Sequence, residues 1–352
     1  MADDVKRPAA EEIVLYEKDR STKIATITLN RPDSLNAPTI AARHRFAELV
    51  HRANVDDDVK VLVVRGIGVH FGSGADLPEQ AAMFSDESDV SLLDEFKIPN
   101  DADVKYPPKD SYRFLAMLTQ LYANSNFGLR SLQDFKKISI VEVKGYCYGW
   151  HFYQAADADL VISSDDALFG HSAFRYAGWA ARMWQWALMM GLRKFQEMVF
   201  TGRPFTAKEM YDCQFLNSVV PRAQLEAEVQ KYALACSRNR PTDTVVMQKT
   251  FFEVFKQNQG EYMGSVLAGW LESMLPAVKS DGELELGAET FGKGLNNAVK
   301  DNDKLFPPDW RMSYGGRKST VTSDAQQLAQ LREQLEATQG QLRALEDRIA
   351  KR

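Results

Sequence analysis

The chain is short of the residues that build staples, metal cages and nucleic-acid surfaces. It has three cysteines, Cys147, Cys213 and Cys236, in 352 residues. An odd and widely spaced set excludes a disulfide framework and a zinc site as organising features, so no metal is expected and a reducing, cytoplasmic setting is. Charge of one sign is also lacking: 43 basic residues face 48 acidic ones, for a net charge of −5. No basic cluster stands out, which leaves no electrostatic case for a nucleic-acid partner. No apolar run reaches the ~18 residues of a membrane span. Residues 1–12 are polar and lack the apolar stretch of a secretory signal. Histidine is scarce, with five in the chain, so its placement is informative.

What is present reads as an α/β chain with room for a sizeable core. Residues 1–11 read as a flexible tail. Strands are expected at Glu12–Tyr16 and Lys23–Leu29, and a helix from about Pro38 to Ala53. The run Val61-Leu62-Val63-Val64 is apolar on both alternating faces, as in a parallel sheet under helices. Residues 78–130 read as an insertion with a helical segment; the part from Ser85 to Asp110 is acidic, contains proline and has little periodicity. The core reading runs over 12–220, followed by a helical region over 221–306. Thr206-Ala-Lys-Glu209 fits a capping box. Residues 307–323 read as a linker. Over 324–350, Leu328, Leu331, Leu335, Thr338, Leu342, Leu345 and Ile349 take the a/d positions of a short coiled coil, which implies self-association.

Two glycine-rich turns carry the functional signal. One is Phe71-Gly-Ser-Gly-Ala-Asp76. The other lies in Lys144-Gly-Tyr-Cys-Tyr-Gly-Trp-His-Phe-Tyr153, between the strand-like run Ile138–Val143 and a helix-compatible run. A strand, a glycine turn and a helix start form a place where backbone N–H groups point at an anion.

These turns, with Ile24–Ala37, Ala155–Ser163, Thr201–Glu209 and Asn217–Pro221, resemble the crotonase (enoyl-CoA hydratase/isomerase) family in order and spacing across about residues 12–300. The resemblance implies a spiral of ββα repeats with a C-terminal helical region at a trimer interface, and a homotrimer or hexamer. It implies an acyl-CoA thioester substrate that brings its own coenzyme A, with no permanently bound cofactor. It also implies stabilisation of an enolate by two backbone N–H groups, here those of Ala75 and Trp150, each typically worth about 3 kcal/mol. Coenzyme A contacts fall on Leu35, Ala37, Phe71, Gly74, Asp76 and Leu77.

The sequence departs from the family where hydration chemistry resides. The two glutamates of its hydratases correspond to Tyr153 and Ala173. A phenol, titrating near ~10, is a poor base at neutral pH. His151 and His171 stand near these positions and suit proton transfer. The density of aromatic residues between Tyr146 and Trp186 suggests a bulky or cyclic acyl group. The preferred expectation is His/Tyr-assisted C–C hydrolysis or lyase chemistry with Tyr153, His171 and His151 in catalytic roles. The alternatives are a hydratase or isomerase whose acid/base residue has moved, to Tyr153 or to the acidic insertion, and a non-catalytic interaction subunit.

Overall fold

The computed structural model describes residues 7–83, 91–99, 101–108, 111–176, 178–272, 274 and 295–314. The chain divides into two compact units, residues 1–302 and 303–352. The heptad segment lies outside the described residues. In the second unit the Asp303 carboxylate accepts hydrogen bonds from the Met312 and Ser313 N–H groups at 2.7 and 3.1 Å.

The first unit is built on a six-stranded sheet. A short helix α1 (Ala10–Ile13) precedes β1 (Val14–Asp19), β2 (Ile24–Leu29) and β3 (Val61–Gly66), with α2 (Ile40–Val55) between β2 and β3. After β3 come α3 (Leu77–Met83), α4 (Leu92–Glu95) and α5 (Tyr112–Ala123), then β4 (Ile138–Val143). Next are β5 (Tyr146–Tyr148), α6 (Trp150–Asp157), β6 (Leu160–Ser164), β7 (Leu168–Gly170), α7 (Ala173–Tyr176), α8 (Met183–Met190) and α9 (Leu192–Thr201). The unit continues with β8 (Phe205–Thr206), α10 (Ala207–Asp212), β9 (Ser218–Val220), α11 (Leu225–Arg238), α12 (Thr242–Asn258) and α13 (Glu261–Glu272). Strand order in the large sheet is β1-β2-β3-β4-β6-β9, parallel apart from the β1–β2 pair. A smaller sheet runs β5-β7-β8.

The β3 run explains the layering. Val61 and Val63 join Ile24, Ile140 and Ile162 under α11, whose Leu225, Val229 and Ala233 cover them. Leu62 and Val64 point the other way, into the larger core with Phe46, Leu49 and Val50 of α2 and Phe152 of α6. Each fully buried side chain of this kind is worth roughly 1.5–3 kcal/mol. Asp159 braces the sheet as its sequence position suggests: it accepts from Ser139 N–H at 2.9 Å and pairs with Lys249.

One expectation changes. Residues 10–13 are helical and β1 starts at Val14, because Ile13 turns fully into the core while Asn30 holds the Glu12 carbonyl at 3.0 Å. The acidic part of the 78–130 insertion, which has little periodicity in the sequence, holds a short helix among its described residues. Ser91 caps α4, Arg43 grips both Glu95 oxygens at 2.7 and 2.8 Å, and His44 meets the Glu95 carbonyl at 3.0 Å. Phe114 and Leu121 of α5 are core residues. A four-residue helix held by a tertiary ion pair leaves no periodicity to read. Among the described residues no helix is long and apolar enough to cross a membrane.

Candidate active site

Three parallel segments end side by side. Gly72 bridges Cys147 of β5, and β5 runs parallel to β7. The connections are tight: Gly72 N–H to Tyr146 O at 2.8 Å, Tyr148 N–H to Gly72 O at 3.0 Å, and Gly149 N–H to Gly170 O at 3.1 Å. Their carboxyl ends become Ser73–Asp76, Gly149–Trp150 and His171–Ala173, so both glycine turns and His171 converge on one edge. Ligands favour such strand ends in α/β folds.

The second turn needs glycine. Gly149 sits at φ 54, ψ −120, a conformation closed to side chains. A Cβ there would lie 3.0 Å from Gly74 Cα and 3.8 Å from His171 Nε2. The two turns therefore touch, with His171 beside them. Among the described residues the Ala75 and Trp150 N–H groups have no hydrogen-bond partner. Trp150 opens α6, and its indole turns inward, donating to Gly128 O at 2.7 Å and packing on Phe46. Only its backbone is offered at the turn.

Tyr153 lies one helical turn beyond Trp150, on the same face of α6. Its hydroxyl meets His171 Nε2 at 2.9 Å. His171 Nδ1 accepts the Ala173 N–H at 3.1 Å. Burial against Tyr153, Phe174 and Trp186 pushes the His171 pKa down to about 4, so the ring is neutral near pH 7. A neutral imidazole has one N–H. With Nδ1 accepting, that N–H is on Nε2 and donates to the phenol oxygen. The tyrosine proton must then point elsewhere.

His151 stands apart from this pair. It is fully buried beneath the first turn, where Nδ1 accepts the Gly74 N–H at 3.1 Å. A Cβ on Gly72 would lie 2.0 Å from its Nε2, so glycine at 72 makes room for the ring. Burial pushes its pKa down to about 3. The geometry is that of a brace for the Ala75 turn, in place of the substrate contact expected from the sequence.

The other sequence candidates form the frame of the first turn. Leu35 is left-handed (φ 52) and its carbonyl accepts Ser73 N–H at 3.0 Å. Arg31 Nη1 donates to Ala37 O at 3.0 Å and to Asp76 Oδ2 at 2.6 Å. Asp76 also caps α3, which Leu77 opens, by accepting Glu79 N–H at 3.0 Å. Asn36, not singled out from the sequence, ties the loop to Ile67 O and His70 O at 2.9 Å each. Phe71 is fully buried against His151, so its side chain belongs to the core. The aromatic cluster is likewise mostly self-packed. Phe152 stacks on Trp186 at 4.4 Å, and Phe174 meets Trp186 edge-on at 5.7 Å. The count of rings therefore does not describe a cavity lining.

A surface cavity of about 640 Å³ lies elsewhere, with Arg65, Lys144 and Arg222 on its wall beside Glu17, Glu142 and Glu226. None of the sequence-predicted site residues lines it.

An enoyl-CoA hydratase/isomerase family model matches residues 114–266. Mevalonyl-coenzyme A hydratase sidH of Aspergillus fumigatus is 25% identical over 292 residues, 82% of this chain and 92% of that protein. The probable enoyl-CoA hydratase echA8 of Mycobacterium bovis is 24% identical over 71% of this chain and 85% of its own length. The fold matches the crystal structure of an enoyl-CoA hydratase from Mycobacterium smegmatis with a TM-score of 0.68 at 24% identity, over 88% of this chain and 97% of that one. An enoyl-CoA hydratase/isomerase from Xanthobacter autotrophicus aligns with a TM-score of 0.67 at 22% identity, over 84% and 98% of the two chains. Residues 114–266 thus match the enoyl-CoA hydratase/isomerase family, and the chain has the crotonase fold.

Proposed function

We propose that the enzyme stabilises a thioester enolate between the Ala75 and Trp150 N–H groups and protonates its α-carbon from Tyr153. The observation that carries this reading is the 2.9 Å contact of the Tyr153 hydroxyl with His171 Nε2 while His171 Nδ1 accepts the Ala173 N–H. A neutral phenol receiving an N–H bond is an acid, and the same bond stabilises the phenolate left behind. The α-carbon gains the phenol proton, and water restores it. His171 does not relay its own proton, because that would leave an imidazolate. His151 positions the first turn.

Water addition to an enoyl-CoA generates such an enolate, and the hydratase names of the relatives favour that reaction. Mevalonyl-CoA and its dehydrated form are the first substrates to offer. C–C cleavage of a β-oxoacyl-CoA is the second reading. It is favoured by Tyr153 and Ala173 at the two carboxylate positions, which removes the paired-carboxylate route to hydration. Exposed apolar residues on α12 and α13, including Phe251 (66% exposed) and Met263 (76%), support a homo-oligomer.

The test is a panel of enoyl-CoA, 3-hydroxyacyl-CoA and β-oxoacyl-CoA thioesters in deuterated water, with products followed by mass. Turnover with one deuterium at the α-carbon is expected. Thioester binding with no turnover across the panel contradicts the reading and favours a non-catalytic subunit.

A further inference from the structure

Helix α6 carries both groups that the proposed chemistry uses, Trp150 N–H at its first residue and Tyr153 one turn on. It is only eight residues long and fully buried, and α8 donates to two of its carbonyls. Trp186 Nε1 donates to Phe152 O and Gln185 Nε2 to Ala156 O, both at 3.1 Å. Arg182, the residue before α8, donates to the side chain of Asp157, the last residue of α6. The same guanidinium donates to Glu261 at 3.2 Å and to Ser265 at 2.7 Å, both on α13. Arg130 reaches the other Glu261 oxygen at 3.4 Å.

The side chains of Arg182, Asp157 and Glu261 are each 0% exposed. Burial raises the Asp157 pKa, and the adjacent guanidinium opposes that rise. Sealing such charges from water costs several kcal/mol per ion, and an apolar cluster of the same shape often coheres as well or better. What the ion network adds over apolar packing is direction. A guanidinium forking between helices fixes the rotation and axial position of α6, where apolar contact would let it slide.

We propose that Arg182 is a positioning residue for the candidate active site. Through Asp157 it sets where the Trp150 N–H and the Tyr153 hydroxyl stand, and through Glu261 it makes α13 part of the same frame. The role rests on the enolate reading above.

The probe is acetoacetyl-CoA bound to the full-length chain, because its enolate absorbs in the ultraviolet apart from the keto form. Wild type raises the bound enolate fraction. Asp157→Asn and Arg182→Met are expected to bind the thioester with little change in Kd but to lower that fraction on the order of tenfold, since ångström-scale displacement of an aligned group costs up to ~100-fold. Arg182→Lys keeps the charge without the fork and retains an intermediate fraction. Arg203→Met breaks partly buried ion pairs with Glu197 and Glu209 outside this network, and is expected to lower Tm while keeping the wild-type fraction. An unchanged enolate fraction in folded Asp157→Asn overturns the positioning role alone. A wild-type chain that binds the thioester without any gain in enolate overturns the enolate reading and the positioning role with it.

Discussion

Replacing Gly149 with alanine separates the turn geometry from general stability. Gly149 holds φ 54, ψ −120, and forcing a side-chain-bearing residue into such a region costs about 1–3 kcal/mol. The new Cβ would lie 3.0 Å from Gly74 Cα, roughly half an ångström inside ordinary carbon contact. Gly74 is held by His151 Nδ1 from below, so the movement falls on the start of α6 and displaces the Trp150 N–H. A donor aimed at an oxyanion is worth about 3 kcal/mol, so turnover should fall on the order of 100-fold. Gly191→Ala is the matched control. Gly191 sits at φ 78, ψ 139 with no atom within 4 Å of an added Cβ, so it bears the backbone strain without the contact. Both variants should lose similar stability in urea, and only Gly149→Ala should lose turnover of the thioester. Equal turnover by the two variants at equal folded fraction would refute the reasoning.

Acid should destabilise the fold in a defined window. The pKa values of His44, His151 and His171 are pushed down by burial to about 4, 3 and 4. The unfolded chain takes up protons that these rings refuse, so their contribution is complete above pH ~6.5 and is lost as pH falls toward the folded values. Each ring accounts for on the order of 2 kcal/mol or more. Melting curves of His171→Gln should show a shallower fall between pH 7 and 4, and an unchanged slope would count against its neutral, desolvated state. Arg31→Met removes the link between Asp76 and the Ala37 carbonyl, both buried. Breaking one side of such a pair costs about 3–5 kcal/mol, and titration with a CoA thioester should show weaker binding; an unaltered Kd would detach this frame from the substrate. Truncation after Tyr314 removes the heptad segment and should lower oligomer mass or Tm, as sedimentation and calorimetry would report.

Much of the fold was legible because it is local. β3 announced itself by apolar residues on both faces, and Thr206–Glu209 by a capping box that the structure contains. The two glycine turns were legible as motifs. What escaped was side-chain pairing across sequence distance. Tyr153 and His171 are 18 residues apart and meet because β5 and β7 run in parallel register. Arg182 and Glu261 are 79 apart, and no local pattern marks two charged residues as buried partners. His151 shows the reverse: adjacent to the turn in sequence, it is a natural candidate for contact, yet its ring turns inward beneath Gly74. The aromatic cluster misled for the same reason, since composition counts rings without saying what they face.

The most direct measurement is single-turnover deuterium transfer to the α-carbon of a bound acyl-CoA, comparing wild type with Tyr153→Phe, with thioester affinity measured in parallel. Loss of general acid catalysis is typically worth 10²–10⁴-fold. The phenylalanine variant should bind the thioester as wild type does and lose transfer by roughly that factor. Transfer at the wild-type rate without the hydroxyl would contradict it.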